Sequence, residues 1–360
     1  MGQKSTSQRG QISQLYKKGQ PTKISDISND VLYGVIFSFL DFRELIGTFR
    51  LVCKQWNKWN EEIITVSNYE IRFVGRKERI KSFELCLVNG HLNNLRKLTL
   101  THLQDSSILE EISHLQSKSL LTFLDLQNNV IGGASGATLI SNSVWLSNLE
   151  ELTMNGCKIG DLGMIEIVKS ENMKNLTSLN VRENIIGNNG FVSLLTSNNL
   201  SKLTMLNLGK NIIDGKSLLS FTIPNTNVLN NLKVLILDEN NLFNDFAKIL
   251  LTKCQFTQLE VLDLSQTQIS NDCIEKGLCI SPHFNTLTQL NLNSNLLSEP
   301  AVRSLIYCKY LNNLEMLHCM NLKSIDRKLK EQLLERFTLV DVSLKDGEAV
   351  SSLLGTGTIE

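Results

Sequence analysis

Between Leu95 and Leu314 the apolar residues follow neither a plain helical period nor a plain strand period; they return in a compound frame. In the unit from Leu203 to Ile213, apolar side chains occupy positions one, four, six and eleven (Leu203, Leu206, Leu208, Ile213), and Asn211 occupies position nine. The frame recurs as Leu121, Leu124, Leu126, Asn129, Ile131, as Leu176, Leu179, Val181, Asn184, Ile186, and as Leu287, Leu290, Leu292, Asn295, Leu297. First positions fall at Leu95, Leu121, Leu149, Leu176, Leu203, Leu232, Leu259, Leu287 and Leu314, 26 to 29 residues apart. Such spacing predicts stacked units, each too small to bury its own apolar face.

Within a unit the alternation at positions three to seven predicts a strand, with positions four and six turned inward and three, five and seven outward. The second half carries apolar residues at helical spacing, as in 159–168 and 186–195, and predicts a helix. The strands should pair as one parallel sheet on the inside of the stack, with the helices outside. At position nine the chain leaves the strand, and an Asn side chain there can bond the backbone of its own and the adjacent turn. Asn129, Asn184, Asn211, Asn240 and Asn295 fit that task, and Cys157 and Thr267 are smaller substitutes. Leu103 and Leu322 depart from it in the first and last frames, which marks the borders of the regular array. The frame resembles the leucine-rich repeat, and its pitch and helical second half resemble the ribonuclease-inhibitor type over roughly 85–337.

Residues 25–60 carry a different pattern. Ser28 or Asn29 can cap a helix in which Leu32, Val35, Ile36, Phe39 and Leu40 share a side, and Leu45, Phe49, Val52, Cys53 and Trp56 mark a second amphipathic stretch. The order Ile27, Val31, Leu32, Ile36, Phe37, Leu40, Asp41, Leu45, Val52, Cys53, Trp56 resembles the F-box, with Ser28 where that family has Pro. The resemblance implies a helical hook docking on the Skp-type adaptor of a cullin-RING ubiquitin ligase, with Ile27, Leu32, Ile36, Phe37, Leu40, Leu45, Val52 and Trp56 as the adaptor-binding residues. Taken from the residues alone, the same helices could instead cap the repeat array.

The expected fold class is thus α/β: a small N-terminal helical F-box-like module followed by a leucine-rich-repeat solenoid. Its parts are an arm at 1–24, the helical module at 25–60, a junction and N-terminal cap at 61–94, the array at 95–342 and a tail at 343–360. In the junction, residues 61–74 read as one or two short strands, and Phe83, Leu85 and Leu87 as a degenerate strand sealing the array. At the far end, 322–334 reads as an amphipathic helix and 337–342 as an edge strand. Met1-Gly2-Gln3-Lys4-Ser5-Thr6 fits the myristoylation pattern at Gly2, and Lys4, Arg9, Lys17, Lys18 and Lys23, with no acidic residue before Asp26, would add weak attraction to an anionic membrane; a plain polar leader is the alternative.

Composition changes this picture little. Of 360 residues 42% are hydrophobic, Lys plus Arg and Asp plus Glu both total 36, and the zero net charge supplies no general pull toward nucleic acid. No apolar run reaches spanning length and no secretory leader is legible, which points to a cytoplasmic or nuclear protein, with a membrane-associated fraction if Gly2 is acylated. Eight Cys are scattered without a CxxC pair and read as reduced, mostly buried thiols; no metal site or cofactor is expected. The glycosylation patterns at Asn175 and Asn199 read as chance in an Asn-rich chain.

Catalytic signatures are absent. The five His form no HExxH, and Gly132–Gly136, the nearest approach to a phosphate loop, lacks the Lys-Ser/Thr finish. The chain is therefore read as a non-enzyme whose work lies on the outward strand face. There Met205, Val234, Ile236 and Val261 form an apolar stripe, with Asn207, Asp238, Asp263 and Asn291 beside it and Arg182 and Gln289 at its border. An apolar centre with a polar rim suits an unknown protein target. The leading expectation is a substrate-recognition subunit of an SCF-type ligase. The rivals are a non-ligase leucine-rich-repeat binding, inhibitory or scaffold protein and, more remotely, a relative of the Ran GTPase-activating proteins.

Overall fold

In the computed structural model of the chain, the residues described are 70–74, 95–101, 106–116, 118–129, 133–224, 228–320 and 325–341. All of them belong to one compact unit, Asn68–Glu360.

Eleven strands form a single sheet: β1 (Glu70–Val74), β2 (Lys97–Thr101), β3 (Phe123–Asp125), β4 (Glu151–Thr153), β5 (Ser178–Asn180), β6 (Met205–Asn207), β7 (Val234–Ile236), β8 (Val261–Asp263), β9 (Gln289–Asn291), β10 (Met316–His318) and β11 (Leu339–Asp341). Their order in the sheet is their order in the chain, and every described pairing is parallel. The nine frames account for β2 to β10. One strand is added at each end, β1 from the junction and β11 from the expected edge strand.

The register explains why three-residue strands suffice. Leu98, Leu124, Leu152, Leu179, Leu206, Leu235, Leu262, Leu290 and Leu317 stand opposite one another, strand after strand, and all are buried. Position four is thus a continuous leucine column. A one-residue slip would turn every one of these leucines to the other face, so burial fixes the register.

Helices cover the inner side chains: α1 (Ser107–His114), α2 (Ala134–Asn142), α3 (Gly160–Lys169), α4 (Asn188–Leu195), α5 (Phe243–Lys253), α6 (Asn271–Lys276), α7 (Glu299–Ile306) and α8 (Arg327–Arg336). The helices expected at 159–168 and 186–195 are present as α3 and α4, and the terminal helix begins at Arg327.

The frame that begins at Leu203 departs from this plan. Residues 215–220 form turns in place of a helix. Gly215, Ser217 and Ser220 are weak helix formers, and Asp214 binds the Lys216 amide and the Ser217 hydroxyl locally. A Cβ on Gly215 would drive into the Leu242 carbonyl and come within 2.9 Å of the Phe246 Cβ. The space a fifth helix would fill is taken from both sides: Phe191 of α4 and Phe246 of α5 meet edge to face, centroids 6.1 Å apart.

Candidate functional site

The ladder at position nine fixes the strand exits on which the open face depends. The Asn211 amide nitrogen donates to the carbonyls of Val181 (3.0 Å), Leu208 (2.8 Å) and Gly209 (3.1 Å). Its oxygen accepts from the amides of Asn184 (3.0 Å) and Ile186 (2.9 Å). Asn240 and Asn295 repeat the arrangement. The substitutes do less of it: Cys157 donates its thiol to the Leu126 carbonyl at 3.0 Å, and Thr267 its hydroxyl to Leu264 at 2.6 Å. Burial pushes the Cys157 thiol up to about 11. Parallel register, buried positions four and six, and an asparagine at the exit now stand together. This is the architecture of a leucine-rich-repeat solenoid.

On the other face, positions three and five are half-buried along β3 and β5 to β10, in an alternating half-buried, buried, half-buried pattern. The sheet brings the expected stripe together. Met205, Val234 and Val261 are consecutive register partners, and Ile236 sits between Asn207 and Asp263 in the row beside them. Asn291 follows Asp263 in that row and Gln289 follows Val261 in the first. The stripe spans three adjacent strands, roughly 10 Å at ordinary strand spacing.

The polar members of the set have partners within the chain. The side-chain oxygen of Asn207 accepts from the Gly209 amide at 2.9 Å. Asp125 receives the Gln127 amide, Asn180 that of Arg182, Asp263 that of Ser265 and Asn291 that of Asn293, at 2.8 to 3.1 Å. Position five therefore closes a side-chain turn at the end of the strand, two residues ahead. Asp263 also accepts from the Ser265 hydroxyl and the Asn291 amide nitrogen. The recurrence of Asn or Asp at this position was the available signal; its intrachain role needs the turn geometry.

Position seven was expected to face outward, and in the middle of the array it does not. Gly209, Asp238 and Ser265 are buried, because the chain has already turned out of the strand. Arg182 lies across Gly209 with Nη1 2.5 Å from the Asp238 carboxylate, and Nη2 reaches Glu239 at 2.6 Å. Burial disfavours the Arg182 charge, and the bonds to Asp238 and Glu239 more than offset this and raise its pKa. Arg182 and Asp238 are thus a structural pair at the edge of the stripe.

Two further devices escaped the sequence. Position eight takes a left-handed conformation at Asn128, Gly156, Glu183, Lys210, Glu239, Gln266 and Ser294, φ between 52° and 69°. A second ladder runs through position thirteen. The Asp161 carboxylate accepts from the amides of Gly187 (2.6 Å) and Gly190 (2.9 Å), Asn188 takes the Asp214 amide, Asn244 that of Ser270 and Asn271 that of Ser298. Asn175, one of the glycosylation-pattern residues, is likewise engaged, donating to the Ser147 carbonyl at 2.9 Å. Among the described residues no cluster of three or more His, Cys, Asp or Glu is placed to hold a metal ion.

Several expectations fall outside the described residues: Gly2 and its arm, the adaptor-binding set Ile27, Leu32, Ile36, Phe37, Leu40, Leu45, Val52 and Trp56, the strand at 83–87, Leu103, Leu322 and the tail.

No protein-family model matches the chain, and no curated protein matches it. Among solved structures, similarity extends to the yeast Rad7 and Elc1 complex (15% identity, TM-score 0.49, 96% of this chain and 94% of that chain). It extends also to the TLR13–ssRNA13 complex (18%, 0.45, 74% and 33%) and to the internalin InlF of Listeria monocytogenes (19%, 0.35, 72% and 69%). The chain spans about a third of the TLR13 chain.

Proposed function

We propose that this chain is a target-recognition subunit of an SCF-type cullin-RING ubiquitin ligase that performs no chemistry itself. The pattern from Ile27 to Trp56 would grip a Skp-type adaptor and through it a cullin, and the open sheet face would hold a protein target. The observation that carries the target-binding half is the stripe Met205, Val234, Val261 with Ile236 beside it, apolar side chains left half-exposed on paired strands. Apolar groups held in a fixed array beside polar neighbours suit a protein partner. The adaptor half rests on the F-box resemblance alone.

Co-expression with a Skp-type adaptor tests the adaptor half: stable co-purification, lost on Ile36→Asp or Leu40→Asp, is the expected result. An adaptor-indifferent monomer would sink it in favour of a non-ligase repeat protein with a helical cap. For the face, proximity labelling in cells expressing wild type and Val234→Asp should yield a set of proteins captured only by the wild type. Identical sets from two equally stable proteins would remove the stripe from the reading. Acylation of Gly2 is a separate matter, decided by incorporation of an alkynyl myristate that Gly2→Ala abolishes.

A further inference from the structure

The apolar stripe does not end at Val261. Position three continues in register through Gln289, Met316 and Leu339, so every member of that row from Met205 onward except Gln289 is apolar, and all are half-buried or exposed. Consecutive members stand one strand apart, about 4.8 Å, and the row runs roughly 24 Å across the sheet. Met205 and Met316 bring unbranched thioethers that adapt to what packs on them.

The backbone has nothing to offer a partner on this face. Position-six amides donate to the position-five carbonyl of the next strand, Leu208 to Ile236, Leu237 to Asp263, Leu264 to Asn291 and Leu292 to His318, at 2.7 to 2.9 Å. An extended segment laid here would find no bonds for its own backbone, and its same-side residues recur at about 6.8 Å, out of step with the row. A helix satisfies its backbone internally. One seam of it recurs roughly every 3.5 residues, about 5.3 Å of rise, and so stays within about 2 Å of the strand spacing over the whole row.

Charge sets the sign of the partner. Each cation in the flanking rows already has a carboxylate: Arg182 has Asp238 and Glu239, Lys210 has Glu183 at 2.9 Å, and Lys233 has Glu260 at 3.2 Å. Asp263 takes its bonds from Ser265 and Asn291, which are neutral, and among the described residues no cation lies against it or against exposed Glu315. The border of the stripe is thus left with surplus negative charge, which favours a cationic partner.

We propose that the stripe takes a basic amphipathic helix of the protein target, about sixteen residues long and laid across the strands. Its apolar seam packs on the position-three row, and its Lys and Arg residues lie over Asp263, Glu315 and the carboxylates around Arg182. The inference rests on the reading of this face as the one that holds the target. Asp263→Asn removes charge and keeps the turn, since Asn207 and Asn291 close the same turn with an amide oxygen.

The test titrates the full chain into three labelled peptides of equal length: a Leu-seamed helix flanked by Lys, the same seam flanked by Glu, and the Lys peptide scrambled so that no seam forms. Fluorescence anisotropy should show the Lys-flanked helix binding about tenfold tighter than either other peptide, with affinity falling as salt rises. Asp263→Asn and exposed Glu315→Gln should each weaken it about threefold at low salt. The neutral double variant Val234→Ser/Val261→Ser, with an unchanged thermal midpoint, should weaken it about tenfold or more. Equal binding of the Glu-flanked or scrambled peptide, or no response to these variants, would overturn the helix. A photo-cross-linker in place of Gln289 separates this inference from the reading beneath it. Cross-links from a captured target's extended or acidic segment overturn the helix and leave the face its role, whereas a captured set unchanged by Val234→Asp removes the face itself.

Discussion

Arg182 and Asp238 are 56 residues and two frames apart, yet their side chains meet over the backbone of Gly209 in the frame between. The salt bridge exists because position seven of that frame carries no side chain. A Cβ on Gly209 would run into both partners, which are flexible side-chain ends. Gly209→Ala is therefore expected to part the pair at a cost of roughly 1–2 kcal/mol and leave the fold intact. A double-mutant cycle on Arg182→Ala and Asp238→Ala should give measurable coupling in the wild type and almost none in the Gly209→Ala background, read from denaturant midpoints. Equal coupling in the two backgrounds would show that the gap is not needed.

Gly215 is the harsher case. Its missing Cβ faces the Leu242 carbonyl, which is backbone and cannot swing aside. Gly215→Ala should cost more than Gly209→Ala, about 3 kcal/mol or above, because two frames must separate. A reversed order of the two thermal midpoints would contradict this packing.

Asn211 holds three carbonyls and two amides from inside the core. Asn211→Ala strands buried groups in two frames and should cost about 3–5 kcal/mol. Cys157 bonds the Leu126 carbonyl from the same position, and Asn is of similar size, so Cys157→Asn should hold or raise stability. Chemical denaturation of the two variants decides both.

Asp161 binds two amides at the start of the next helix, Gly187 and Gly190. Asp161→Ala should cost about 1–2 kcal/mol, and Asp161→Asn less, since an amide oxygen can still accept. Hydrogen exchange should show the loss first at those two amides.

Alkali should weaken the array. The thiols of Cys157 and Cys273 are raised to about 11 and about 12 in the folded chain, above their ordinary value of 9.0. The folded state thus holds protons that the unfolded state releases. Their contribution is whole below pH 9 and fades as pH rises toward 11 and 12. Cys157→Ser should flatten the alkaline limb of a stability–pH curve, and an unchanged limb would mean that other groups govern it.

Sequence alone determined the repeat, because its signal is local. Leu206, Leu208 and Asn211 must face inward in any stack of such units, and the register of the leucine column follows from burying them. Three residues of strand with fixed spacing carry that much information. Tertiary structure decided what depends on contacts between frames. Asp238 and Asn207, legible as outward polar residues, are held by Arg182 and by the Gly209 amide, since a turn two residues past a strand points where the neighbouring frame allows. The missing helix after Asp214 is set by Phe191 and Phe246 closing over it. The Cys308 thiol and the Cys279 carbonyl, 29 residues apart, met for the same reason: stacking makes neighbours of residues one repeat apart, and only the exact path of each turn decides which pairs touch.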